Sequence, residues 1–256
     1  MLVLRPGALG DTLLALPALR ALRRAFSPIR LAAHSATARL LARLGEVDCG
    51  LAFDDPSLAW VFQESAGDEP VVAWMNAEIK GALLVAPSRP ATTTHCARYL
   101  LESLAPLGID LTWDARPLRV TPIGSDEVLI HPGSGSPTKN WPASRFASVI
   151  RGLDLRVRLI VGEADLEACV EVERLVGRPL QRLQQPPLEE LANRLAGCRA
   201  YLGNDSGVSH LAGLCGARAL VLFGPTSPDV WRPLGPDVHV LPFEVSPDAV
   251  VSDLSA

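Results

Sequence analysis

The stretch Leu2-Val3-Leu4-Arg5-Pro6-Gly7-Ala8-Leu9-Gly10-Asp11 opens with three apolar residues and passes through two glycines into a leucine-rich run. A short apolar run, a glycine turn and a longer helical segment are typical of the first strand, turn and helix of a parallel sheet. Gly7 and Gly10 lack a Cβ, so they permit a tight turn and a close approach of a ligand to the backbone. Pro17 is expected to bend or delay the helix. The stretch therefore predicts an α/β protein that binds ligands at the carboxyl ends of its strands.

The same alternation of short apolar runs and helical segments continues along the chain. The predicted strands are 2–4, 29–32, 71–74 and 83–86, then 128–130, 157–161, 180–183, 200–202 and 219–223. Helices are predicted over 92–107 and around Arg145, Leu166, Leu191 and Leu211. Segment 108–125 contains Pro117 and Pro122 and has no helical face, which is typical of a linker. We therefore predict two doubly wound parallel-sheet domains, residues 1–122 and 123–256. The pattern assigns no element after Phe243.

Composition narrows the classes of protein. The 256 residues are 48% hydrophobic and 20% charged, as in a globular chain, and the net charge of −4 disfavours nucleic-acid binding. The five cysteines are scattered, which indicates a reducing, cytoplasmic setting. The sequence has no apolar run of the ~20 residues that cross a bilayer, so any membrane contact, on the inner face of the cell membrane, is expected to be peripheral. Residues 1–122 hold 12 basic and 12 acidic side chains, although Arg20, Arg23 and Arg24 form a local basic patch.

Asp11 closes the turn that follows the first strand, and it has two interpretations. As the first residue of the helix it would be an N-cap, which is a common role for aspartate. As a carboxylate facing a ligand it would be a general base that takes a proton from an attacking hydroxyl. In the second interpretation Gly7 and Gly10 form a loop on the acceptor side, next to the molecule that carries the attacking hydroxyl.

Segment 131–142, His-Pro-Gly-Ser-Gly-Ser-Pro-Thr-Lys-Asn-Trp-Pro, follows the strand at 128–130 and suits a phosphate group. Its small residues expose backbone N–H groups, and Ser134, Ser136 and Thr138 add hydroxyl donors beside Gly135. Lys139 supplies a positive charge, and it stands out because the chain has 22 arginines and two lysines. A flexible surface loop is the alternative interpretation.

Segment 203–210, Gly-Asn-Asp-Ser-Gly-Val-Ser-His, leads from a strand directly into a helix, whose free N–H groups attract phosphate. Ser206 and Gly207 would leave those groups accessible. Asp205 is expected to be the N-cap. His210 would share the face of Ser206 and could donate a hydrogen bond to a phosphate oxygen, although a lone helical histidine is more often structural. Two further residues follow strands. Thr226 lies in a Gly-Pro-Thr turn and its hydroxyl could reach the same site, although such a turn is nonspecific on its own. Glu163 could accept hydrogen bonds from a ribose, with plain surface exposure as the equal alternative.

Taken together, segments 4–11, 131–142, 203–210 and 223–226 resemble the lipopolysaccharide heptosyltransferases of glycosyltransferase family 9. The resemblance implies a GT-B architecture, in which two Rossmann-like domains face each other across a cleft. It also implies inverting transfer, without a metal or cofactor, from a nucleotide-diphosphate sugar such as ADP-heptose to a hydroxyl of a glycolipid or oligosaccharide in surface glycan synthesis. By resemblance Asp11 is the catalytic base and Lys139 a catalytic clamp on the diphosphate. The implied donor-binding set is Ser134, Gly135, Ser136, Lys139, Glu163, Asp205, Ser206, Gly207, His210 and Thr226.

Two other functions stay open from the sequence alone. A non-catalytic protein that binds nucleotide sugars would retain the donor loops, although retention of Asp11 speaks against it. A nicotinamide-dependent oxidoreductase would need a Gly-x-Gly-x-x-Gly fingerprint after the first strand, and Gly7 and Gly10 alone do not form one.

Overall fold

The computed structural model describes residues 1–63, 69–163 and 165–256. The chain forms two compact units, Met1–Ala115 and Arg116–Ala256. Each unit contains one sheet whose strand pairs are all parallel.

The first unit is built on a five-stranded sheet of order β3-β2-β1-β4-β5. Its elements are β1 (Leu2–Leu4), α1 (Leu9–Leu13), α2 (Leu16–Ala25), β2 (Arg30–Ala33), α3 (Ser35–Arg43), β3 (Cys49–Ala52), β4 (Val71–Trp74), β5 (Leu84–Ala86) and α4 (Cys96–Glu102). Short 3₁₀ helices lie at Pro56–Phe62 and Ala105–Leu107. The central strands β1 and β4 are fully buried because both faces of the sheet are covered. The proline expected to interrupt the first helix lies in the first turn of α2, so α1 and α2 are separate helices.

The second unit is built on a six-stranded sheet of order β11-β10-β9-β6-β7-β8. Its strands are β6 (Glu127–His131), β7 (Arg156–Val161), β8 (Gln181–Gln184), β9 (Ala200–Asn204), β10 (Ala219–Phe223) and β11 (Val238–Pro242). Its helices are α5 (Ala143–Gly152), α6 (Leu166–Val176), α7 (Leu188–Gly197), α8 (Gly207–Leu214), α9 (Pro228–Trp231) and α10 (Pro247–Ser255). The apolar core joins β6, β7, β9 and β10 to the inner faces of α5, α6 and α10.

All nine predicted strands are present, with ends that differ by at most two residues. The predicted helix over 92–107 is wrong in extent, because the Thr92 hydroxyl bonds to Thr94 in a local turn and α4 begins only at Cys96. Strands β3 and β11 were not predicted. Strand β3 consists of small residues, and Gly50 is required there because a Cβ would lie 2.2 Å from the carbonyl oxygen of Ala38. Strand β11 is an edge strand that ends in proline.

The strand orders determine which loops meet. In the second unit β9, β6 and β7 are neighbours, so the segments after their carboxyl ends lie side by side. In the first unit β1, β2 and β3 bring together the turns that begin at Arg5, His34 and Phe53 in the same way. In the described ranges, no helix has both the length and the apolar character needed to cross a bilayer.

Candidate functional site

The turn between β1 and α1 holds Asp11 against its own backbone. Helix α1 begins at Leu9 with Ala8 as N-cap, so the sequence interpretation of Asp11 as N-cap is wrong by three positions. Asp11 is the third residue of the helix, and its carboxylate accepts a hydrogen bond from the backbone N–H of Ala8 at 3.1 Å. Gly7 has φ +144°, and a Cβ there would lie 3.1 Å from Oδ2 of Asp11. The turn therefore needs glycine at this position for two reasons, conformation and space.

A buried arginine accompanies this carboxylate. Arg5 is 1% exposed, its Nε donates to the carbonyl oxygen of Asp11 at 3.1 Å, and its guanidinium lies 3.8 Å from the Asp11 carboxylate. Burial lowers the pKa of Arg5, while the nearby charge of Asp11 opposes that shift. Asp11 itself keeps 21% of its side chain exposed. A carboxylate that is anchored and still accessible can accept a proton from a bound hydroxyl.

The three arginines predicted to form a basic patch on the first long helix are each paired with carboxylates. Arg20 is 3% exposed and forms a two-point ion pair with Glu46, at 2.7 and 2.8 Å, and a further contact with Asp114. Arg23 pairs with Asp48, and Arg24 with an aspartate of segment 108–115. The helix packs so closely on the unit that the whole of segment 16–22 is buried, which is why Arg20 is part of the interior.

In the second unit, the loop after β6 is bound to the end of β9 by one buried amide. Asn204, which is fully buried, donates to the carbonyl oxygens of Pro132 and Gly133 and accepts from the backbone N–H of Trp141 at 2.9 Å. Within the loop, the Ser134 hydroxyl donates to the carbonyl oxygen of Ser136 and lies 2.7 Å from the side-chain oxygen of Asn140. The loop is therefore held by hydrogen bonds within itself and to the end of β9, which favours an organised loop over a flexible one.

The two hydroxyls expected to bind phosphate are bonded to each other, since Ser136 and Thr138 lie 3.0 Å apart. Lys139 ends a 3₁₀ turn, and its ammonium forms an ion pair with Oδ2 of Asp205 at 2.8 Å. The Thr226 hydroxyl donates to the same oxygen at 2.7 Å. Three of the predicted donor-binding residues, Lys139, Asp205 and Thr226, thus meet at one carboxylate oxygen.

Helix α8 begins at Gly207 with Ser206 as its N-cap, and the Ser206 hydroxyl accepts from the backbone N–H of Ser209. The prediction that Asp205 caps this helix is wrong by one residue. The physical reason for this shift is that β9 continues through Asn204, so the helix cap falls one residue later than the sequence pattern indicated. The Asp205 carboxylate is therefore available for Lys139 and Thr226. Gly207 is half-buried at the helix start, and His210 is 5% exposed.

A chain of buried polar groups lies beneath these loops. His131, at the end of β6, bonds through Nε2 to Oδ2 of Asp165 at 2.8 Å and through Nδ1 to the Ser206 hydroxyl at 3.3 Å. Ser206 is followed by Ser209, whose hydroxyl lies 2.9 Å from that of Tyr201. Burial raises the pKa of Tyr201. The three strand ends of β6, β7 and β9 are thereby cross-linked behind the start of α8.

Asp165 is the anchor of this chain. Burial opposes its ionisation, but the hydrogen bond and charge of His131 and the backbone N–H of Gly162 outweigh burial and lower the pKa of Asp165 below its usual value. Gly133 and Gly162 enclose the carboxylate, because a Cβ at either position would lie only 2.0 or 2.5 Å from one of its oxygens. The arrangement of Asp165, His131 and Ser206 therefore holds the strand ends together from inside.

Glu163, Ser134 and Gly135 are the predicted donor-binding residues that remain to be placed. Glu163 is exposed in the turn after β7. Ser134 and Gly135 line a cavity of about 650 Å³ whose other walls are Trp141, Phe146 and the face of α6 around Ala168. Within residues 1–63, 69–163 and 165–256, no group of three or more His, Cys, Asp or Glu side chains could hold a metal ion.

Sequence reasoning gave no role to Asp165, Asn204 or Tyr201. His131 and Asn204 lay inside the quoted segments but drew no interpretation, since a polar residue at a strand end carries no sign of its partner. A signal for Asp165 was present in its spacing, because it lies four residues after Val161 and just before an apolar helical run, where aspartate often caps a helix.

Comparison with known proteins gives three consistent results. Residues 99–252 match the family model described as glycosyltransferase family 9 (heptosyltransferase). Lipopolysaccharide heptosyltransferase 2 of Salmonella typhimurium is 29% identical over 113 residues, which is 41% of this chain and 32% of that protein. The chain therefore aligns with about a third of the length of the curated relatives it matches.

Solved structures extend the likeness to the fold of the whole chain. The crystal structure of a family 9 glycosyltransferase from Veillonella parvula superposes with a TM-score of 0.80 at 19% identity, covering 99% of this chain and 95% of that one. The E. coli heptosyltransferase WaaC, determined with ADP, gives a TM-score of 0.74 at 17% identity, with coverages of 99% and 98%. Together with the two parallel sheets, these likenesses confirm the predicted α/β fold of the GT-B class.

Proposed function

The chain belongs to glycosyltransferase family 9, and on that basis we propose that it transfers a sugar from a nucleotide-diphosphate donor to a hydroxyl of a saccharide acceptor. The proposed donor is ADP-heptose, and the proposed setting is the lipopolysaccharide core or a related surface glycan. The proposed site of action is the cytoplasm, with peripheral contact at the inner face of the cell membrane. The observation that carries the proposal is the meeting of Lys139, Asp205 and Thr226 beside the start of α8.

The donor-binding part of the proposal rests on charge and on free backbone donors. A diphosphate needs a cation and hydrogen-bond donors that are already in place, and the start of an α-helix supplies N–H groups and a positive dipole end. Lys139 supplies the cation, and its side chain is one third exposed. We propose that the diphosphate takes Lys139 from Asp205 when the donor binds. Ser134, Gly135, Ser136, Gly207 and His210 complete the proposed donor site, and Glu163 is the proposed partner of the ribose.

The proposed chemistry is a single displacement with inversion. The acceptor oxygen attacks the anomeric carbon, the bond from that carbon to the phosphate oxygen breaks, and the nucleoside diphosphate leaves with the bonding electrons. Asp11 accepts the proton of the acceptor hydroxyl. Lys139 and the N–H groups at the start of α8 stabilise the charge that develops on the leaving diphosphate, so we propose that no metal or cofactor is needed. A non-catalytic nucleotide-sugar-binding protein is the alternative, and it shares the donor half of this proposal.

Calorimetric titration with ADP, UDP, GDP and CDP tests the donor site. We expect selective binding of ADP, and we expect Lys139→Ala to weaken it by about 1–3 kcal/mol, the size of a charge-assisted hydrogen bond. The chain offers a matched control, since its only other lysine, Lys80, is exposed on the first unit. Lys80→Ala should bind ADP like the wild type. Absence of binding for all four nucleotides would refute the donor assignment.

Turnover separates the enzyme from the binding protein. With ADP-heptose and lipopolysaccharide core fragments as acceptors, release of ADP should fall at least ~100-fold in Asp11→Asn, because a positioned base contributes about 10²–10⁴. The affinity for ADP should stay unchanged in the same variant. Equal rates for Asp11→Asn and wild type would remove Asp11 from the mechanism, and ADP binding without turnover by the wild type would favour the binding protein.

A further inference from the structure

The first unit contains a cavity of about 350 Å³ at the carboxyl ends of β1, β2 and β3. Its described lining comes from the ends of those strands and the residues that follow them: Pro6 and Gly7, then Ala33, His34 and Ser35, then Phe53 and Asp54. The volume lies at the lower end of the roughly 300–1,000 Å³ that small-molecule sites occupy, so it suits one ring better than an oligosaccharide.

The lining combines one aromatic ring with polar side chains that have no hydrogen-bond partner among the described residues. Phe53 is half-buried, packs on the apolar core of the unit and meets Phe62 edge to face at 6.1 Å between ring centroids. In the part of the chain that the structure describes, the side chains of His34, Ser35 and Asp54 make no hydrogen bond, so their donors and acceptors are available to a ligand. A pyranose ring has a C–H face that packs on an aromatic ring and a rim of hydroxyls that both donate and accept.

The cavity adjoins the proposed base. Gly7 lines it, and a Cβ at Gly7 would lie 3.1 Å from Oδ2 of Asp11, although Asp11 is not itself among the lining residues. A sugar in the cavity would therefore lie against the turn that leads to Asp11, which brings its hydroxyls near the proposed base.

The charges around the cavity disfavour an anionic sugar. Among the described residues that line it, Asp54 is the only Asp, Glu, Lys or Arg, and its carboxylate is negative. Many cations of the first unit already lie within 4.0 Å of a carboxylate: Arg5, Arg20, Arg23, Arg24, Arg30 and Arg98. Arg39 is exposed one turn after Ser35 on α3, but it does not line the cavity.

We infer that this cavity holds the acceptor of the proposed transfer and that the acceptor residue bound there is a neutral, hydroxyl-rich sugar ring without phosphate or carboxylate. Phe53 provides the surface for its C–H face, and Asp54 accepts from its hydroxyls and repels anionic analogues. That the bound sugar is the acceptor rests on the proposed function, but binding in the cavity and the preference for a neutral sugar can be tested without turnover.

The experiment is saturation-transfer NMR of the full chain with D-glucose, D-mannose and D-galactose, each paired with its 6-phosphate. At least one neutral sugar should bind, and its 6-phosphate should bind about fivefold more weakly, because a phosphate dianion near a partly solvated carboxylate is repelled. Asp54→Asn should bring the two affinities within about twofold. Phe53→Leu should weaken the neutral sugar at least ~fivefold, whereas Phe53→Tyr, which keeps the ring, should restore it.

Trp113→Leu is the matched control, since Trp113 is also a half-exposed aromatic residue of the first unit but lies outside the cavity. It should bind sugar like the wild type, and circular dichroism should show that every variant is folded. Tighter binding of a 6-phosphate than of its parent sugar, above all if Arg39→Ala abolishes it, would overturn the inference, and so would absence of binding for all six probes. ADP titration of the same samples reports separately on the donor site, so ADP binding with no sugar binding refutes this inference alone.

Discussion

Replacing Gly133 with alanine should destabilise the second unit much more than the same change two residues away. A Cβ at Gly133 would lie 2.0 Å from Oδ1, 2.4 Å from Cγ and 2.6 Å from Cβ of Asp165. Asp165 cannot withdraw in the other direction, because the backbone of Gly162 lies against its other oxygen. The carboxylate must therefore move by more than about an ångström, which breaks its 2.8 Å bond to His131.

The magnitude follows from what is lost. A buried, charge-assisted hydrogen bond contributes about 1.5–3 kcal/mol, and forcing an extra carbon into a packed interior costs about 1–3 kcal/mol. We expect Gly133→Ala to lower the free energy of unfolding by about 3 kcal/mol, which corresponds to a fall of roughly 10 °C in Tm for a unit of this size. Gly135→Ala is the control, since no atom of the described residues lies within 4 Å of a Cβ at that position.

Differential scanning calorimetry of the three proteins measures the difference, and the endotherm of the second unit should move in Gly133→Ala alone. A wild-type Tm for Gly133→Ala, or an equal fall for Gly135→Ala, would refute the idea that Asp165 is fixed between the glycines. ADP titration adds a second readout, because Gly135 belongs to the proposed donor loop. A methyl group there should weaken ADP binding while leaving Tm unchanged.

Three further predictions concern other parts of the molecule. The lowered pKa of Asp165 means that its ionised form stabilises the fold. The difference in Tm between wild type and Asp165→Asn should therefore be largest at neutral pH and should vanish as the pH falls through the folded-state pKa, which lies below about 3.8. A difference that does not change with pH in calorimetry would contradict the role of the charge. Glu46→Ala leaves Arg20 without its two-point partner in the interior, so urea unfolding should show a loss of about 3 kcal/mol, and a loss below ~1 kcal/mol would show that Asp114 suffices. Burial raises the thiol pKa of Cys96, Cys169, Cys198 and Cys215 to about 11 or 12. Ellman's reagent should therefore label Cys49 first in the native protein, and equal labelling rates for all five cysteines would contradict the protection of the other four.

The sequence predicts the fold well because parallel strands in a covered sheet are short apolar runs, which leave a clear pattern. It fails where an element lacks that pattern: β3 is made of small residues, and β11 lies at an edge with proline at its end. The same rule, that ligands bind after strands, selects Asp11, Lys139 and Asp205 without any structure. The N-cap interpretation fails at both aspartates, because Asp11 lies in the first turn of α1 and β9 runs on to Asn204, so that Ser206 caps α8. The role of Asp11 as a base stays a prediction.

The buried groups could not be found in this way. His131 and Asp165 are 34 residues apart in the chain, and they meet only because β6 and β7 are adjacent in the sheet. Arg20 illustrates the converse problem, since three nearby arginines on a helix indicate a basic surface unless the packing of the opposite face is known. Only the structure reveals Glu46 and Asp114 as the partners of Arg20.

The internal bonds of the donor loops also restrict how a diphosphate can be held. Ser134, Ser136 and Thr138 already satisfy one another or the loop backbone, so their hydroxyls can turn to a ligand only by giving up existing bonds. Each such exchange returns little net free energy, because a hydrogen bond to phosphate replaces one that the protein already makes. The exchange at Lys139 is different, since a diphosphate carries more negative charge than the single carboxylate of Asp205 that it would replace. Selectivity for a diphosphate over a neutral ligand should therefore arise mainly from Lys139 and the backbone N–H groups at the start of α8, while the serines and threonine keep the loop in shape.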